Sequence, residues 1–227
     1  MQPRTLALLV CLLPPVAANL AYIISASAGH VPWCIPYIDG CTSISRAARH
    51  GHALFVFRAL MMFYAVLLLW YWWTVKHWLI QLDHNTINAA RLIYWLGVIG
   101  ALFLVIYIDY LGSSGDVYRF LRRYGVIMYF SLTPLAHLLM LKQLKRLSLT
   151  RTEVVTGKKV QTYQLLIITL IVLLGIVHVI INYAGLKSDQ TQNIIEWNYA
   201  LLMTLFFASS YFMWKNLKLR LQTDTET

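Results

Sequence analysis

Five ionisable side chains fall within or at the edges of long apolar stretches of this chain: Arg58, Asp109, His137, His178 and Glu196. Charge inside hydrocarbon is costly, so each of these positions calls for a functional or structural reason. The arginine can grip a phosphate through charge-assisted hydrogen bonds. A histidine backed by a carboxylate can move protons during ester cleavage or acyl transfer. On that reading His178 is the base and Asp109 or Glu196 its partner, while Ser43, Ser45, Arg46, Asp39 and Asn182 complete a polar layer. Ion pairing that merely holds helices together is the competing use of the same groups.

The elements that must position these residues are apolar helices. Stretches near 5–26, 53–75, 91–112, 125–142, 163–185 and 194–214 each approach the about 20 residues that a helix needs to cross a bilayer. A mean hydropathy of +0.61 and a charged fraction of 12% agree. The expected fold class is all-α, an integral membrane bundle of six transmembrane helices forming one domain over residues 1–227, with no room for a soluble domain. Alternating spans put Arg58, Asp109, His178 with Asn182, and Glu196 within about 10 Å of the outer boundary. His137 falls in the inner half of span four, roughly 14 Å from the level of His178. Those two histidines therefore cannot share a haem iron. With no compact His/Cys/Asp spacing for a metal either, no cofactor is expected.

The net charge of +10 is distributed by loop rather than gathered for nucleic acid. Threaded with the N-terminus inside, the chain has 12 Lys and Arg on the inner side and 7 on the outer, which favours both termini in the cytoplasm. Lys142, Lys145, Arg146, Arg151, Lys158 and Lys159 would attract anionic inner-leaflet lipids. A bacterial inner membrane or a eukaryotic endomembrane or plasma membrane would suit such a chain. The N-terminal run imitates a signal peptide but is longer than a usual one, and reads as a retained first span kinked at Pro14-Pro15.

Between spans one and two, an outer loop near 27–52 carries prolines, glycines, Trp33, Tyr37, Cys34 and Cys41, a composition that suits an ordered loop. The two cysteines form either a small disulfide loop or a pair of free thiols. Three further local expectations concern the membrane surfaces. Trp70-Tyr71-Trp72-Trp73 suits the inner headgroup level. Residues 76–90 suit a short helix lying on the inner surface, and Asp116 to Tyr124 a segment along the outer headgroups. No P-loop, GxGxxG or GxSxG is present. A serine hydrolase would need His178 or His50 brought to Ser43 or Ser45 by folding, and no repeat pair suggests a transporter.

Two short patterns carry a family resemblance. Ser43-Ile44-Ser45 followed by Phe57-Arg58, and Glu196-Trp197 followed by Tyr211-Phe212, resemble motifs of the FRAG/DRAM/SFK family. That family includes a GPI-anchor lipid remodelling factor and the N-terminal domain of a yeast cell-wall CWH protein. The Cys34…Asp39-Gly40-Cys41 loop departs from its branches. The resemblance implies a multi-pass protein of membrane-lipid metabolism or distribution. Together these readings lead to a protein that binds a phospholipid or glycolipid headgroup through Arg58, Ser43, Ser45, Arg46, Asp39, Asn182 and Glu196. A membrane-embedded acyltransferase or esterase, and a scaffold recruiting a partner through the basic inner loop, are the alternatives.

Overall fold

The computed structural model describes residues 2–150, 158–186, 188–214 and 217. It is all-helical, with no strand among the described residues. The order is α1 (Pro3–Ser27), the short α2 (Pro36–Asp39) and α3 (Ile44–Ala47), then α4 (Gly51–Leu82) and a 3-10 turn at His84–Thr86. It continues with α5 (Ile87–Asp109), α6 (Asp116–Thr150), α7 (Lys158–Tyr183) and α8 (Asp189–Met213). Five segments are long and apolar enough to cross a membrane: Pro3–Ser27, Gly51–Leu82, His84–Asp109, Asp116–Leu149 and Lys159–Tyr183. That is the composition of a multi-pass membrane protein. The helix α8 is equally long but carries Asp189, Gln190, Gln192, Asn193, Glu196 and Asn198 in its first three turns, which keeps it outside those five.

Arrangement follows from which faces are small or aromatic. α5 packs on α4 and α6, α1 on α4 and α8, and α7 mainly on α8, touching α6 over a shorter stretch. Gly97 and Gly125 mark the closest approaches. A Cβ at Gly97 would collide with the Trp72 indole, and one at Gly125 would lie 2.9 Å from the Phe103 carbonyl. Small residues let helices approach where lipid gives no hydrophobic drive for association. Between the helices, Tyr64 and Tyr129 share a hydroxyl hydrogen bond at 2.9 Å and Tyr71 meets Ser210 at 2.7 Å. His137 is fully buried, stacked on Phe206 at 3.9 Å beside Trp72.

Three local expectations change. Residues 76–82 do not form a separate surface helix, because α4 continues through them as a single helix of 32 residues, about 48 Å long. Trp78 and Leu79 are buried there, Trp78 edge-on to Trp214. The aromatic quartet accordingly sits well inside α4: Tyr71 and Trp72 are core residues, and of the four only Trp70 is markedly exposed. Asp116 to Tyr124 forms the opening turns of the 35-residue α6 rather than a strip along the surface. Helix α1 runs unbroken past Pro14 and Pro15. Arg151 of the basic inner run lies outside the described residues.

Gly97→Ala should lower the thermal midpoint of the detergent-solubilised protein, since overpacking costs about 1–3 kcal/mol. Gly175→Ala, where nothing stands within 4 Å, should keep or raise it. Unfolding monitored by circular dichroism compares the two.

Candidate functional site

At the end of the bundle where α1 meets α4, the connecting segment folds down onto α8. A Cys34–Cys41 disulfide closes it. The hydroxyl of Tyr22 accepts from the Cys34 amide at 2.7 Å and donates to the Cys34 carbonyl at 2.8 Å, tying the loop to α1. Side chains of α8 then donate to successive loop carbonyls: Gln190 to Asp39 at 2.9 Å, Asn193 to Gly40 at 2.8 Å, Trp197 to Thr42 at 2.8 Å and Asn198 to Tyr37 at 2.9 Å. Ser43 caps α3 by accepting from the Arg46 amide at 3.1 Å. This brings the Ser45 amide to Glu196, whose carboxylate accepts from it at 3.4 Å.

Beside this anchored loop lies a cleft of about 450 Å³. Its cationic wall holds Arg49 from the loop and Arg119, Arg122 and Arg123 from the start of α6. Ser45, Glu196, Gln192 and His178 add polar groups, and Tyr107, Val126, Phe130 and Tyr199 form an apolar floor. Four guanidiniums thus face one carboxylate. Arg122 is fixed by donating to the carbonyls of Tyr110, at 3.1 Å, and Ser113. Arg49 donates to Ser45 Oγ at 3.5 Å, yet its Nε is buried without a partner, and so is Nδ1 of His178. Next to Arg49, His50 is held below the usual imidazole range, first by burial and then by the charges of His30 and Arg49. A second, apolar cavity of about 60 Å³ adjoins the cleft, sharing Tyr107, Val126, Phe130 and Glu196 with it.

The expected site residues divide into those the cleft gathers and those it does not. Ser45, His178 and Glu196 line it. Ser43 stands one step behind, its hydroxyl 3.2 Å from that of Ser45. Asn182 is exposed, donating to the His178 carbonyl at 2.8 Å and accepting from Gln192 at 3.3 Å. Arg46 forms an exposed ion pair with Asp189 at 3.3 Å, and the Asp39 carboxylate accepts from the Ile35 amide at 2.7 Å within its own turn.

Arg58, expected to hold phosphate, is elsewhere. Its guanidinium donates to the carbonyls of Ile108, Asp109 and Leu111 at 3.2, 2.6 and 2.5 Å, satisfying acceptors that the end of α5 leaves open. Asp109 is exposed at that helix end, outside the cleft wall, and not positioned as a partner for His178. The guanidiniums that line the cleft are instead those of Arg49, Arg119, Arg122 and Arg123. The sequence sets Arg119, Arg122 and Arg123 at outer headgroup level without joining them to a site, although their Arg-x-x-Arg-Arg spacing puts them on one helical face.

Compared with family models, curated proteins and solved structures, the chain matches none of them.

Because Arg58 donates to three backbone carbonyls, Arg58→Ala should destabilise the protein by about 1–3 kcal/mol, the worth of charge-assisted hydrogen bonds at partly exposed acceptors. A lower thermal midpoint in detergent checks this. An unchanged midpoint would remove the capping role.

Proposed function

We propose that the protein binds the anionic headgroup of a membrane phospholipid or glycolipid in the arginine-lined cleft, and thereby supports lipid remodelling or distribution. The observation that carries this reading is the set of four arginines around one carboxylate, on a cleft with an apolar floor. Guanidinium forks match phosphate oxygens, and such charge-assisted bonds are stronger than neutral ones. The floor suits the first carbons of an acyl or glyceryl group. In this reading α8 is a sixth span, its polar first turns covered by the loop, both termini are cytoplasmic and the cleft lies in the outer half of the membrane. The excess of inner-side Lys and Arg supports that orientation. The resemblance to the FRAG/DRAM/SFK family points the same way, since two of its matched residues, Ser45 and Glu196, line the cleft.

A second reading, acyl transfer or ester cleavage, draws on His178 and Glu196 in the same wall. Among the described residues no hydrogen bond joins His178 to Ser43, Ser45 or Glu196, so binding leads. His178→Ala separates the two: under the first reading it weakens headgroup retention without abolishing it, and under the second it abolishes turnover.

Arg119 and Arg123 are exposed and can be removed with little effect on the core. The double variant Arg119→Ala/Arg123→Ala should weaken retention of anionic lipid at least about tenfold, equivalent to losing one charge-assisted bond. Native mass spectrometry of the full chain reads this directly. Equal retention in wild type and variant would reject the cleft as the headgroup site.

A further inference from the structure

The reading above names a headgroup site without naming the headgroup. The cleft's own donors narrow it. Arg49, Arg122 and His178 come from three different elements, α6, α7 and the segment before α4, and all face the one space. Arg49 Nε and His178 Nδ1 are buried there without a hydrogen-bond partner. The Arg49 Nε–H is a buried donor left unmade, which is expensive, and with the guanidinium of Arg122 on a different element it calls for an acceptor with oxygens pointing in several directions. A phosphodiester offers two free oxygens and a single charge. A phosphomonoester offers three and carries about −1.5 to −2 at neutral pH.

Zwitterionic headgroups fit the same wall poorly. Their ammonium would need an anionic partner, and the cleft offers one carboxylate, Glu196, against four guanidiniums. Arg119 and Arg123 stand exposed at the rim, where a second positive group would be repelled.

Access is set by α7. On its cleft side Gly175 has nothing within 4 Å of where a Cβ would stand. Opposite it on α6, Ile127 lines the cleft while remaining 45% exposed. Between these two helices the cleft is therefore open sideways, at a level where both flanks are apolar: Ile176 and Val177 on α7 and Ile127 on α6 are all exposed. An acyl chain can leave the cleft there and stay among the chains of the bilayer.

We propose, resting on the headgroup reading, that the ligand is a lipid with a phosphomonoester headgroup, which reaches the cleft laterally between α6 and α7 past Gly175. The phosphate takes Arg49, Arg122 and His178 as donors, with Arg119 and Arg123 at the rim. The glyceryl or equivalent backbone rests on Phe130 and Tyr199, and the chain passes Gly175 into the membrane.

Native mass spectrometry of the full chain in detergent, titrated with phosphatidic acid, phosphatidylglycerol and phosphatidylcholine of identical chains, tests the class. Phosphatidic acid should bind about tenfold more tightly than phosphatidylglycerol, and phosphatidylcholine weakest. Gly175→Trp should cut phosphatidic acid binding about tenfold with the thermal midpoint preserved. Gly175→Leu serves the same purpose if the larger ring prevents folding. Glycerol 3-phosphate should not displace the lipid at equal concentration. Phosphatidylglycerol binding as tightly as phosphatidic acid would overturn the phosphomonoester assignment and leave the anionic headgroup reading standing. Displacement by glycerol 3-phosphate would reassign the cleft to a soluble phosphate. Unchanged binding in both Gly175 variants would overturn the lateral route. If Arg119→Ala/Arg123→Ala alters no lipid at all, the headgroup reading falls together with this one.

Discussion

Carbonyls of the loop between α1 and α4 need donors, and the polar face of α8 supplies them. Gln190, Asn193, Trp197 and Asn198 are spaced three, four and one residues apart, so they project from neighbouring faces of the helix toward one side of the bundle. Each reaches a different carbonyl of residues 37–42. A backbone segment near a membrane cannot leave such acceptors open without a cost of about 1–3 kcal/mol apiece. Everything in the site depends on this docking. It presents the Ser45 amide to Glu196, swings Arg49 toward α6 and turns a loop into one wall of a cleft. It also explains why the first turns of α8 are polar: those residues are spent on the loop.

The cleft itself is electrostatically unfavourable when considered alone. Arg119 and Arg123 stand exposed at the rim, Arg119 paired with Asp116 at 3.4 Å. Arg49 and Arg122, however, share a partly buried region with one carboxylate, where like charges repel more strongly than in bulk. Arg122 is held there by carbonyls of the Tyr110–Ser113 turn, and Arg49 by Ser45. Those contacts fix position without cancelling charge. An arrangement kept at such a cost is characteristic of a site whose partner carries the opposite sign. In the proposed reading, the apolar floor and the adjoining small cavity suit an amphiphilic partner better than a free inorganic ion.

Helical class and the approximate bounds of the long helices were readable in the sequence, because runs near 5–26, 91–112 and 163–185 are apolar over the length of a bilayer. Where such a run continues into amphipathic sequence, periodicity alone could not say whether the helix goes on. Residues 76–82 show this: Trp78 and Leu79 suit an interface as well as a core, and only the presence of Trp214 beside them decides for the core. The site was half legible. Ser45, His178 and Glu196 were found by asking which polar groups share a level. Arg58 shares that level too, but hydrogen bonds to the end of α5 depend on azimuth, which no count of residues along a span reveals. Arginines 119, 122 and 123 were legible as a headgroup-level segment but not as a cleft wall, because their approach to Glu196 and His178 depends on how α6 packs.

The claim at the centre of this account is that anionic lipid gathers at the mouth between α6 and α7. A photoreactive benzophenone residue placed at Ile127, in the full chain in its membrane, would capture whatever lipid lies there. Phe55, exposed on α4 at the same end of the bundle, serves as the reference position. Mass spectrometry of the adducts should show anionic lipid enriched at Ile127 over Phe55. The same lipid composition at both positions would contradict the account.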